Sequence, residues 1–191
     1  MIRPLAVATA AVAVAAGGSA SGSTAAATSA AAAAQAPRVS MRAGGITGMP
    51  ALETDVLAAI NTLRRSRGLV PLRASVPLAT AAREHSLSLA ERGVFDHASP
   101  NGSPFWKRLA AKYRQHGGRL WRVGENLAWA APELNAQRAL ELWLKSPPHR
   151  ENLFRPGWRE IGLGAVHALA APGVYGGSDV TILTADFGFR R

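Results

Sequence analysis

Apolar residues recur with helical spacing at Leu52, Val56, Leu57, Ile60 and Leu63, and Gly68 follows where a left-handed residue ends a helix. A first helix is predicted there, and the turn GLVPLRAS after it carries Val70 and Leu72. Ser75, with Pro77 close behind, opens a second helix that Gly93 closes. Leu78, Ala82, His85 and Leu89 share one face of it, so His85 is expected as a hydrogen-bonded core histidine. FDHASPNGSP reads as a loop from its Asp, Ser, Pro, Asn and Gly content. Ser103-Pro104 opens a third helix that gathers Phe105, Trp106, Leu109 and Tyr113 on one side and runs to Gly117-Gly118.

RLWRVGENLAWA has no helical period and leads through Pro132 into a fourth helix with the stripe Leu140, Trp143 and Leu144. KSPPHRENLFRPGW is expected as a proline-rich break and turn. EIGLGAVHAL and VTILTADFGF are predicted strands, joined as a hairpin by a loop rich in glycine. The GLG within the first of them lacks a third glycine and a strand-to-helix setting, so it is read as close backbone packing and not as a phosphate loop. Helices come first and strands last, without alternation. That order predicts an α+β domain, an antiparallel sheet covered by helices, and argues against a doubly wound parallel sheet.

Composition divides the chain. Residues 1–28 combine Arg3, the apolar run LAVATAAVAVAA and small residues suited to cleavage, the pattern of a secretory signal peptide. The run is too short to cross a bilayer, so no stable membrane span is expected. A low-complexity spacer over 29–50 follows, and 51–191 is long enough for one domain with one core. Such a protein is expected to be secreted, periplasmic or extracellular. The chain has no cysteine, which excludes disulfides, thiolate metal sites and a cysteine nucleophile, so the core must hold the fold unaided.

From Ala51 onward 19 Lys and Arg stand against 12 Asp and Glu, a net charge of +7. No acid occurs between Asp96 and Glu125, where Lys107, Arg108, Lys112, Arg114, Arg119 and Arg122 do. On a helix these basic residues lie away from the apolar side, which reads as a solvated face. Nucleic acid is not expected as a partner, because no recognition motif accompanies the charge.

Three ionisable residues stand outside the helical patterns, in turn-rich settings: His97 in FDHASP, Glu125 in GENLAWA and His149 in SPPHREN. Two imidazoles and a carboxylate can hold a zinc ion with one position open to water, or they can form a hydrogen-bonded acid/base cluster without metal. Their spacing matches no local metal-ligand motif, so both remain open. Glu125 in particular requires a partner if it is buried, since an acid is expensive in an apolar interior.

NTLRRSRGLVPL, AAREHSLSLAERGVFDHASPNG, VGENLAWA, LWLKSPPHRENL, EIGLGA and TADFG follow one another in the order and approximate spacing of the CAP family. That family comprises cysteine-rich secretory proteins, antigen five and plant pathogenesis-related proteins, and this chain most resembles its short, cysteine-free bacterial branch. The resemblance runs from about Ala51 to Phe189 and implies the family's three-layer α-β-α sandwich. It also implies a central cavity with two histidines and two acids, which in several members hold a divalent metal. By motif, His97, Glu125 and His149 match three of the four; the second acid is replaced by Ser146, and Asn126 is expected to orient backbone beside the cleft. The implied function is a binding module for a small apolar ligand, a peptide, a lipid or a cell-envelope component. The alternative is a zinc-dependent hydrolase with Glu125 as base or third ligand. A third reading makes the cluster purely structural.

Overall fold

The computed structural model describes residues 5–7, 45–114 and 120–191. The cleavage region and most of the expected spacer lie outside the described residues, as does the predicted helix stop at Gly117-Gly118.

In chain order the elements are β1 (Leu5–Val7), β2 (Ile46–Gly48), α1 (Pro50–Arg65), β3 (Arg73–Ala74), α2 (Val76–Arg92), α3 (Phe105–Lys112), β4 (Trp121–Ala130), α4 (Ala136–Lys145), α5 (Pro147–Phe154), β5 (Glu160–Ala171) and β6 (Ser178–Arg190). The strands form one sheet in the order β1-β4-β6-β5-β2, with β3 beside the start of β5. Its centre, β4-β6-β5-β2, is antiparallel, and only the short β1 and β3 run parallel to their neighbours. The protein is therefore an α+β sandwich with helices on both faces of the sheet. Folded structure reaches back to β2, inside the stretch whose composition reads as spacer.

Alternation along the strands assigns the faces. Ala128, Leu163, Ala165, Leu183, Ala185 and Phe187 pack with α1, α4 and α5 around the fully buried Trp143. On the opposite side Leu127, Trp129, Val166 and Ile182 pack with Leu89 and Ala90 of α2, and Val123 packs with Leu78 and with Phe105, Leu109 and Tyr113. The two glycines of GLG face α2. A Cβ at Gly162 would lie 2.0 Å from the α2 backbone and one at Gly164 2.2 Å, so only hydrogen lets the helix sit this close to the sheet.

Two helices are stitched together by a buried cation. Arg64 of α1 is fully buried and donates to the carbonyls of Leu153 at 2.7 Å and Arg155 at 3.3 Å. Those carbonyls lie at the C-terminal end of α5, where a positive charge is favoured.

Three local expectations change. The third helix stops at Lys112, where Tyr113 leaves helical geometry with φ −97° and ψ 71°. SPPHRENLF is a helix, α5, and not a turn: its two prolines occupy the first helical positions, where a missing N–H costs nothing. RVGENLAWA is a strand, β4, whose ten residues pair with β6 from Trp121–Arg190 to Ala130–Thr181. It is buried on both faces, which removes the alternation by which a half-buried strand is recognised.

Candidate functional site

Glu125 lies at the middle of β4 and is fully buried on the α2–α3 side of the sheet. His97 descends on it from the loop between α2 and α3, and its Nδ1 is 2.7 Å from Glu125 Oε1. Arg108 of α3 donates to the other oxygen, Oε2, and also to Ser99 Oγ at 3.1 Å. Burial pushes the Glu125 carboxyl upward, but the His97 hydrogen bond and the Arg108 charge outweigh it and hold the group down at about 2. It is an anion clasped from both ends.

Sequence patterning placed Arg108 on the solvated basic face, and the structure corrects that reading. Its side chain is only 11 % exposed because α3 turns it inward toward the buried Glu125 carboxylate. An acid-free basic block next to a buried acid was the available signal.

A second buried acid stands beside the first. Asp186 of β6 is directly opposite Glu125 in the strand register and on the same face of the sheet. Among the described residues neither of its oxygens has a hydrogen-bond partner. Burial, reinforced by the charge of Glu125, raises its pKa well above the ordinary carboxylate value, so Asp186 keeps its proton. The rule that singled out Glu125, an acid within an apolar strand, applied equally to Asp186 in TADFG, although the family pattern directs attention to position 146 instead.

His149 sits in the first turn of α5, and its ring centroid is 6.3 Å from that of His97. It is fully buried, and burial, followed by the nearby His97, lowers its pKa to about 4, so the ring is neutral at physiological pH. Among the described residues neither of its nitrogens has a hydrogen-bond partner, nor does Nε2 of His97, and all three are buried. Asn126 points to the opposite face of β4 from Glu125. It donates to the His149 carbonyl at 3.0 Å and accepts from Asn152 Nδ2 at 3.0 Å, which fixes the start of α5 relative to the strand. Ser146 ends α4 and precedes α5 without capping either helix through its hydroxyl.

His85 lies behind this cluster on α2, almost fully buried, with Nε2 3.0 Å from the Asp96 carbonyl; burial lowers its pKa to about 4. Ser86 bonds the Gly164 carbonyl and Thr184 Oγ1, both at 2.8 Å, and is a structural hydroxyl. Trp143 donates to the Leu127 carbonyl at 2.9 Å from within the core.

The donor set does not make a three-ligand metal site. No group of three or more His, Cys, Asp or Glu among the described residues is arranged to hold an ion. Glu125 spends its oxygens on Nδ1 of His97 and on Arg108, so it lies behind the His97 ring, in the place of the carboxylates that orient metal-bound histidines. What remains is a pair of imidazoles, and a cation here would have only His97 Nε2 and one nitrogen of His149 from the protein.

No helix among the described residues is long and apolar enough to cross a membrane. Residues 57–175 match the model of the cysteine-rich secretory protein family, CAP. The chain is 30 % identical over 142 residues to the uncharacterized protein YkwD of Bacillus subtilis, an alignment that spans 71 % of this chain and 52 % of YkwD. It thus covers about half the length of that curated relative. Among solved structures, an outer surface protein of Borrelia burgdorferi superposes with a TM-score of 0.61 at 22 % identity, over 78 % of this chain and 99 % of that one. An extracellular SCP-domain protein of Bacillus anthracis superposes with a TM-score of 0.56 at 25 % identity, over 74 % of this chain and 41 % of that one. Sequence match and fold agree, and the chain belongs to the CAP family.

Proposed function

We propose that this is an exported CAP-domain binding module, and that its ligand is received between His97 and His149. The observation that carries this reading is the set of three buried imidazole nitrogens with no partner among the described residues, on two rings 6.3 Å apart. Buried polar groups are normally satisfied, so such a set marks a place where a ligand group completes the hydrogen bonding. Neutral His149 offers a donor and an acceptor, and the Arg108–Glu125 pair holds the orientation of the His97 ring. The site is adapted to a small polar group, such as a hydroxyl or amide of a lipid, peptide or envelope component, whose apolar remainder lies against Phe105, 6.2 Å from His97 between ring centroids.

The signal-like composition of residues 1–28 supports export, as do the extracellular and outer-surface descriptions of the structurally similar proteins. The hydrolase reading has weaker support. A general base must be free to take a proton, and Glu125 is held as an anion by a guanidinium and an imidazole.

Calorimetric titration of the purified protein with lipids, sterols and peptidoglycan fragments tests the proposal. Saturable binding that disappears in His97→Ala/His149→Ala is expected. Binding that the double variant retains in full would place the ligand elsewhere. Metal analysis of the same two proteins separates a cation held by the imidazole pair from an organic ligand.

A further inference from the structure

Strand β5 carries a gap in its outer edge. β3 covers it at Glu160 and Ile161, and β2 covers it from Val166 to Ala168. Between them the backbone is met by other means. The Ile161 carbonyl accepts from Ser75 N at 2.8 Å, and the Ala165 carbonyl accepts from Met49 N at 2.9 Å. The Ala165 N–H would next require the Met49 carbonyl, but α1 has begun and that carbonyl accepts from Glu53 N. Glu53 Oε1 takes its place, at 3.1 Å from Ala165 N.

Residues 161 and 165 both direct their main-chain groups outward, so by the two-residue alternation of a strand Leu163 does the same. Nothing covers it. On one side α1 has turned away after Met49; on the other, the Ser75 carbonyl is committed to Ala79 N at 2.9 Å as α2 starts. One rung of the sheet, an N–H and a C=O on the same residue, therefore faces a cavity of about 240 Å³ between the beginnings of α1 and α2.

A second observation points into the same space. Ser75 is 5 % exposed, lines the cavity, and its Oγ makes no hydrogen bond, although it stands where a serine usually caps a helix. The walls are apolar, with Leu57 on one side and Val76 and Ala79 on the other. At one end the Glu53 carboxylate is paired with Arg83, whose Nε lies 2.9 Å from Oε1. That carboxylate makes the slot unsuited to an anion, despite the helix N-terminus beside it.

We propose that this slot is a peptide-binding site in which one extended residue of a peptide is added as the missing rung beside Leu163. Its own N–H donates to the Leu163 carbonyl and its carbonyl accepts from the Leu163 N–H, as in any antiparallel hydrogen-bonded pair, and the Ser75 hydroxyl supplies a third bond. The cavity limits the side chain to a small or apolar one. The slot shares no residue with the imidazole pair, and the inference does not depend on the function proposed for that pair.

The test is a titration of the isotope-labelled full chain with N-acetyl-L-alanine N-methylamide, followed by amide resonances. Saturable shifts centred on Leu163 and Ser75 are expected. They should be lost in Ala79→Leu, which fills the slot, and in Val76→Trp, which obstructs its rim from a residue 79 % exposed and so does not threaten folding. N-acetylglucosamine, whose single amide cannot present both groups to one residue, and acetate should leave Leu163 unmoved. Absence of a saturable shift with the peptide, an undiminished shift in both variants, or an equal response to acetate or to the sugar would overturn the proposal.

Discussion

Removing the guanidinium of Arg108 while leaving Glu125 in place is the sharpest perturbation of the cluster. In Arg108→Ala the carboxylate, fully buried, keeps only His97 as a partner. Breaking a buried ion pair from one side costs about 3–5 kcal/mol, a large part of the roughly 5–15 kcal/mol that holds a domain together. The loss depends on pH with a definite sign. Glu125 has a folded pKa of about 2, below its unfolded value, so its stabilisation is present above the ordinary carboxylate range and disappears as pH falls toward 2. The gap between wild type and variant should therefore be full at neutral pH and shrink as the medium is made more acidic than about pH 4, near the unfolded value. Asp186 and the neutral histidines respond to pH in both proteins and largely cancel in the difference. Urea unfolding at neutral and acidic pH provides the numbers. A companion Arg108→Met/Glu125→Leu, which removes both charges, should recover much of the loss, because apolar replacement of a buried pair is often neutral. A change below about 0.5 kcal/mol, equal at both pH values, would refute the reasoning and return Arg108 to the class of ordinary surface substitutions.

Asp186→Asn should gain stability relative to wild type as pH rises through the ordinary carboxylate range. The folded state holds a proton there that the unfolded chain releases, and denaturation curves across that range reveal whether the gap widens. The ring resonances of His85 and His149 should titrate near pH 4, far below a free histidine, so both oppose folding as pH drops below their unfolded values; proton NMR of the imidazoles decides this. Gly162→Ala should lower the thermal midpoint by an amount equivalent to about 1–3 kcal/mol or more, since its methyl meets backbone and not a side chain that can move. An unchanged melting curve would mean that α2 sits further from the sheet than described.

Much of the architecture was legible along the chain, because it rests on local physics. The periodicity of α1, α2 and α4, Gly93 with φ +64° ending α2, and the hairpin of β5 and β6 all follow from residues close in sequence. One element was misread and one went unassigned, for identifiable reasons. β4 is buried on both faces and so shows no alternation, and the prolines of α5 look like breakers until they are seen to occupy its first turn.

For the site, the order of motifs was sufficient to nominate His97, Glu125 and His149 together, 28 and 24 residues apart. Their roles were decided by pairing across the fold. Whether a carboxylate ligates, accepts or takes up a proton depends on which charges lie within a few ångströms, and those come from elements distant in sequence. Arg108 reached Glu125 because α3 packs against the sheet, and Asp186 reached it because β4 and β6 share a register. The sequence by itself determined the family, the layered α+β fold and the identity of three polar residues in an apolar setting. Only the tertiary structure decided that Glu125 is an anion held behind His97, that Asp186 beside it keeps its proton, and that the edge of β5 is left one rung short where α1 and α2 begin.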